Sequence, residues 1–249
     1  MLSPILPAAL IRALGGFEMV PAAKGNRTAL TTRFTLLGGL MANQTLYKIR
    51  SLDNWKFVLD IIVNSRLFAA PFESLNDPME GRYYFFGPTV SEAYRKALYE
   101  SKLRRNICSF SERSDSTLLW SYYAGGHTGV AFGVQLPTVR PRGHNMEVRA
   151  VRYDSGIHIG PQQASQPPDR VALEILTQKQ SPWAHEREVR VFTSKNFVPV
   201  KLKELVLGHR ISAADEKLLR ALMSKWHPKI RISKIKRASL DHPEAVQPV

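Results

Sequence analysis

The stretch "SPWAHEREVRVF", residues 181–192, decides how this chain is read. Its second half carries Val189, Val191 and Phe192, the β-branched and aromatic composition of a buried strand. Yet His185, Glu186, Arg187, Glu188 and Arg190 crowd the same segment. On a strand, alternate side chains share a face and sit roughly 6.5–7 Å apart. That spacing predicts Glu186, Glu188, Arg190 and Phe192 on one face and Arg187, Val189 and Val191 on the other. Two carboxylates on one face form either a solvated Glu–Arg ladder, worth under about 1 kcal/mol per exposed pair, or the wall of a cleft. Trp183 just before them suits a pocket wall.

Working outward, strand and helix signals alternate irregularly. "TLYKIRS" alternates like a short strand, with Lys48 and Arg50 on one face and Tyr47 and Ile49 on the other. Leu52, Trp55, Val58, Leu59 and Ile62 recur at helical spacing, with Asp53 or Ser51 as the expected cap. "RLFAAPFESLNDPMEG" reads as a strand running into a turn, because Asn76 and Asp77 bond their own downstream backbone and Pro78 fixes φ. Further helices are expected over "VSEAYRKALYESKLRR", "STLLWSYY", "PPDRVALEILTQKQS" and "AADEKLLRALMSKWH". Strands are expected at "NICSFSER", "GVAFGVQL", "HNMEVRAVRYDSG", "LKELVLGHRIS" and "KIRISKIKRAS". The pattern implies an α+β fold: one domain over 45–240 with a mixed or mostly antiparallel sheet flanked by several helices. Residues 1–44, rich in Pro and Gly breakers and holding one acid, Glu18, read as a poorly ordered extension, with Met41 resembling a natural start. Residues 241–249 read as a tail.

Bulk properties narrow the partners. The 249 residues carry a net charge of +14, which favours an anionic partner such as a nucleotide or nucleic acid. The segment "KWHPKIRISKIKR" concentrates Lys225, Lys229, Arg231, Lys234, Lys236 and Arg237 without an acid, as a nucleic-acid stripe or a solvated edge strand would. Cys108 is the one cysteine, so no intrachain disulfide or cysteine-based zinc site can form, and a reducing cytoplasmic setting fits. No window approaches the roughly 18 apolar residues of a membrane span. Phosphate-loop, dinucleotide-fingerprint, zincin and nucleophile-elbow motifs are absent.

Beside the opening stretch, residues 108–132 hold the other chemistry. Ser109 and Ser111 point one way from their strand and Phe110 the other. Asp115 or Ser116 is placed to cap the following helix. Trp120, Tyr122 and Tyr123 form an aromatic cluster, either core or a stacking platform. His127 sits in a Gly-Gly-His turn, solvated or facing a phosphate.

In order, "LYKIRS", "FAAPFESLNDPMEG", "ICSFSERSDSTLLWSYYAGGHTGVAFGV", "VRYD", "SPWAHEREVRVF" and "LKELVLGHRIS" resemble the motifs of the domain-of-unknown-function family numbered 2971. The likeness covers about residues 45–215, with Leu75 standing where Phe is usual, Ser109 interrupting a Cys-Phe-Ser run, and Leu119 where Met is common. A further resemblance, to arginine-type ADP-ribosyltransferases, rests on Arg50, then Ser109 and Ser111, then Glu186 and Glu188, on successive strands. It implies NAD as co-substrate and no metal. Arg50 would grip the pyrophosphate as a fork of donors, with Lys48 beside it. Ser109 or Ser111 would orient the ribose. Glu188 would stabilise the ribosyl cation and Glu186 would position or deprotonate a nucleic-acid or protein acceptor. Tyr47, Trp120 or Tyr123 would stack on a ring, Asn76 and Asp77 would rim the pocket, and His127 would face a phosphate. Other readings stay open, a pure protein-interaction role among them, and two are more specific. One is a non-catalytic nucleic-acid or nucleotide-binding module. The other is a metal-dependent nuclease drawing carboxylates from Asp77, Glu80, Glu186 and Glu188.

Overall fold

The structure is a computed structural model that describes residues 44–77, 79–85, 90–138, 145–154 and 157–236. The extension expected over 1–44, Gln44 apart, and the tail expected over 241–249 lie outside the described residues, as do Pro78 and Arg237. In chain order the elements begin β1 (Leu46–Arg50), α1 (Trp55–Asn64), β2 (Arg66–Phe68), β3 (Ala70–Pro71), a 3-10 turn (Phe72–Ser74) and β4 (Tyr83–Phe85). Then follow α2 (Glu92–Leu103), β5 (Asn106–Ser111), α3 (Thr117–Tyr123), β6 (Val130–Gln135), β7 (Met146–Ala150), β8 (Arg152–Asp154) and β9 (Ile157–Ile159). The rest are α4 (Pro161–Ala164), α5 (Pro168–Leu176), β10 (Gln178–Gln180), a 3-10 turn (Ser181–Glu186), β11 (Glu188–Thr193), β12 (Phe197–Pro199), β13 (Lys201–Leu207), α6 (Ala213–Trp226) and β14 (Arg231–Lys234).

The fold is α+β, as the pattern implied. Its main sheet runs in the order β14-β13-β6-β1-β5-β11-β7, with β3 also pairing to β5. Neighbours are antiparallel apart from the parallel β13–β14 edge. One face packs on α1 and α6 through Val58, Ile61, Ile62, Leu219 and Met223 against Phe132, Val189, Val191 and Leu205. The opposite face carries α3, where Leu119, Trp120 and Ala124 meet Ile49, Ala131 and Val206. Further along that face α5 lays Leu173 and Leu176 over Ile107 and Phe192. Both faces of β11 are thus covered, which is why all six of its residues are buried, charged ones included.

Local chemistry sets the helix ends. Ser91, Ser116 and Ser212 each cap a helix, their hydroxyls accepting from Tyr94, Leu119 and Asp215 backbone N–H groups. The cap expected at α1 does not form: Asn54 precedes it without a side-chain bond, while Ser51 and Asp53 bond each other. Beyond α1, Ser65 turns left-handed (φ 49°), its N–H donating to the Ile61 carbonyl.

Two irregularities shape the site. The first is the seam between β1 and β5, which holds a single registered pair, Tyr47↔Ser111, whereas β1 keeps five with β6. Past that pair β5 is joined instead by β3, through Ala70↔Ile107 and Pro71↔Asn106. The sheet is therefore split beside β1. The second is a register shift in β13 between Leu202 and Glu204. This bulge sends Leu202 and Leu205 to one core while Glu204 pairs with Gly133 and reaches Tyr47 on the other side.

Candidate functional site

The split holds a cavity of about 240 Å³, lined by both faces of β1 and by the exposed edge of β5. Tyr47, Lys48, Ile49 and Arg50 contribute from β1, Ser109 and Ser111 from β5, and Glu188 from β11. Register explains the convergence. Tyr47 pairs with Ser111, and Ser111 pairs with Glu188, so one cross-strand row crosses the three strands. Ser109 pairs with Arg190 two rows on, on the same face.

One end of the cavity is cationic. Lys48 Nζ crosses the split and donates to the Ser109 carbonyl at 2.7 Å, serving an acceptor that the parted strands leave without a ladder bond. No carboxylate lies within ion-pair distance of Lys48 or Arg50 among the described residues. Burial, then the Arg50 charge, pulls Lys48 down to about 8. Burial also lowers Arg50, whose buried Nε has no hydrogen-bond partner and whose guanidinium lies 5.7 Å from the centre of the Phe57 ring. Two desolvated cations stand side by side with no ion-pair partner among the described residues, an arrangement chemically suited to an anion.

The other end holds an ionic network. Lys179 Nζ lies 2.6 Å from Glu186, 3.1 Å from Glu80 and 3.4 Å from Glu188. Arg190, fully buried, binds both oxygens of Glu188 at 2.8 and 3.0 Å and Glu80 at 2.5 Å, and also donates to the Leu176 carbonyl. Tyr123 donates to Glu186 at 2.8 Å. The Glu188 backbone N–H donates to the Tyr153 hydroxyl, and Ser111 Oγ donates to the Glu186 carbonyl. Burial alone would raise Glu188; Arg190, Lys179 and the Ser109 hydroxyl outweigh it and hold the carboxyl at about 2. Three carboxylates against two cations leave one net negative charge when all are ionised. Phe57, Phe68, Phe110, Leu119 and Tyr123 add apolar surface to the lining, Phe57 beside Arg50 and Tyr123 beside Glu186. Tyr47 closes one side, its hydroxyl donating to Glu204 at 2.6 Å while Glu204 also holds Arg231; burial and Glu204 push its phenol up to about 12.

The structure brings together Arg50, Lys48, Tyr47, Asn76, Ser109, Ser111, Tyr123, Glu186 and Glu188. It corrects other expectations. Trp120 is core, 1% exposed, its Nε1 donating to the Ser114 carbonyl. His127 packs against Trp120 and His209, at φ 71°, and does not line the cavity. Asp77 folds back onto the Met79 N–H instead of facing the cavity. Glu186 belongs to a 3-10 turn, and the strand begins only at Glu188; Arg187, left-handed at φ 43°, swings both carboxylates to the same place. Arg190 is not part of a solvated ladder but sits at the centre of the network. The basic stripe is partly neutralised, since Arg231 pairs with Glu204 and Lys234 with Glu216, leaving Lys225, Lys229 and Lys236 exposed.

Sequence reading missed Lys179 and gave Glu80 a metal-binding role. Nothing local marks Lys179: it lies on β10, paired with β8 at Tyr153, and only the tertiary fold sets it among acids. Among the described residues no group of three or more His, Cys, Asp or Glu is arranged to hold a metal ion; Glu80, Glu186 and Glu188 gather instead round an ammonium. No helix among them is long and apolar enough to cross a membrane. No family model, curated protein or solved structure matches this chain, so the resemblance to family 2971 rests on the quoted motifs alone.

Proposed function

We propose that the chain is an ADP-ribosyltransferase-like enzyme that uses NAD and transfers ADP-ribose to a nucleic-acid or protein acceptor. The observation that carries this reading is the convergence of Arg50, Ser109 with Ser111, and Glu188 with Glu186 on one cavity within the split sheet. The cavity's two ends suit the two ends of the reaction. Arg50 and Lys48 take the pyrophosphate. The apolar part of the lining takes the nicotinamide ring. As the ribosyl C1′–N bond breaks, nicotinamide leaves with the bonding electrons and positive charge develops on the ribose. Glu188, ionised at any physiological pH, faces that charge. The acceptor then attacks C1′ and Glu186 takes its proton. Lys225, Lys229 and Lys236 would hold an anionic acceptor or its surroundings.

A second reading, nucleotide binding without turnover, is favoured by one observation: both oxygens of Glu186 and of Glu188 already have partners. One experiment separates the two. Incubated with labelled NAD, with and without DNA, RNA or lysate, the protein should release nicotinamide. Glu188→Gln should abolish the release, about a hundredfold or more, while still binding NAD. Arg50→Lys should weaken NAD binding, because the fork of donors is lost. Binding by wild type with no nicotinamide and no labelled acceptor would end the transferase reading and leave the binding one.

A further inference from the structure

The cationic end of the cavity has chemistry that NAD turnover does not use. Lys48 is an amine held in a cavity, not on a solvated surface. Its Nζ makes one described hydrogen bond, to the Ser109 carbonyl at 2.7 Å, and no ion pair. In its neutral form the amine keeps that bond through one N–H and leaves its lone pair unused. Arg50, two residues on and on the same strand face, lines the cavity too, with a buried Nε that has no partner. Glu186 and Glu188 line the same cavity, their carboxylates held by Lys179, Tyr123 and Arg190.

We infer that Lys48 captures a small carbonyl compound bearing a carboxylate or phosphate, with Arg50 holding the anionic group. The amine lone pair attacks the carbonyl carbon, the two amine protons pass to the carbonyl oxygen, which leaves as one water, and an imine links Nζ to the former carbonyl carbon. No oxidant or reductant is consumed. Three features favour the step. The ammonium is destabilised by burial and by Arg50, so that about a tenth of the molecules present a free amine at pH 7. The cavity, at about 240 Å³, suits a metabolite-sized guest. An anion beside Arg50 supplies the counter-ion that the protein omits, which fixes the carbonyl near Nζ and raises its effective concentration. The chemistry is independent of whether NAD is turned over, so either can fail alone.

Reductive trapping tests it on the full chain. Wild type, Lys48→Arg and Arg50→Gln are treated with glyoxylate or with neutral glycolaldehyde in the presence of cyanoborohydride, and the alkylated lysines are located by peptide mass spectrometry. Circular dichroism checks that the variants fold. The expected result is that Lys48 is the first lysine modified and prefers glyoxylate over glycolaldehyde. Its labelling should fall about tenfold in Arg50→Gln. Inorganic diphosphate should protect it in wild type, a measurement needing no variant. Labelling of exposed lysines as fast as Lys48, equal reaction with both aldehydes, or no protection by diphosphate would overturn the assignment.

Discussion

At the scale of single residues, Lys48 and Arg50 are where stability has been given up. Folding strips both cations of water and gives neither a carboxylate at ion-pair distance among the described residues; Glu186 and Glu188 act on Lys48 only from farther off. Lys48 sits at about 8, down from 10.5, so its charged form is disfavoured in the fold. The sign follows: the cost is present in full below about pH 8 and fades as pH rises toward 10.5. Lys48→Met removes that cost, about 3 kcal/mol, and loses one hydrogen bond worth about 1 kcal/mol. The expected outcome is a variant about 2 kcal/mol more stable in urea unfolding at pH 7, the gain shrinking near pH 10. A less stable Lys48→Met protein would mean that the Ser109 contact outweighs the buried charge. The cationic pair was legible in "LYKIRS", because strand alternation alone puts positions two apart on one side. Its lack of an ion pair was not, since that depends on how far off the other strands hold their acids.

At the scale of elements, the site is made by strand register and by two breaks in it. The strands themselves were readable: β1 and β5 lie within the stretches expected to be strands and β11 overruns its stretch by Thr193 alone, while their adjacency follows from no local signal. Glu186 shows the limit of periodicity. Alternation placed it correctly beside Glu188, yet for the wrong reason, because a left-handed Arg187 does the work assigned to a regular strand. Trp120 shows another: an aromatic on a short helix is claimed by whichever face the helix buries, and α3 buries it under β1 and β6. Gly129 ties these elements together. A Cβ there would run into the Arg50 carbonyl and lie 3.0 Å from backbone atoms of Ala124, obstacles that cannot rotate away. Gly129→Ala should therefore push β1 from the start of β6, costing about 2 kcal/mol or more in thermal or urea unfolding and weakening anion binding at Arg50.

Across the whole molecule, the acidic end of the cavity joins parts of the chain that share no secondary structure. Glu80 comes from the turn just before β4, Lys179 from β10, Glu186 from a 3-10 turn, and Glu188 and Arg190 from β11. Charges this deeply buried make the assembly sensitive to acid. Glu188 is held at about 2 against an ordinary 4.5, so its contribution is complete above about pH 4.5 and is lost as pH falls toward 2. The expected loss is about 3 kcal/mol, read as a fall in unfolding free energy between neutral and strongly acid solution. Glu188→Gln should start lower, because Arg190 loses a buried partner, and should show a flatter acid limb. An acid limb as steep as that of wild type would place the sensitivity elsewhere. This network could not be seen in advance. The Glu–Arg alternation left a solvated ladder and a cleft wall both open, because nothing in "HEREVRVF" tells whether a helix will cover that face; α5 does.

The single rung between β1 and β5 has a mechanical consequence. A sheet laced through several rungs at its other joins and stitched once at this one will breathe there first. The two banks, β14-β13-β6-β1 and β5-β11-β7, can part or close with little backbone bonding at stake. Whatever lodges against Arg50 on one bank and Glu188 on the other acts as a clasp, adding the cross-links that the backbone omits. Affinity and rigidity should then rise together, and the guest itself becomes part of the weave.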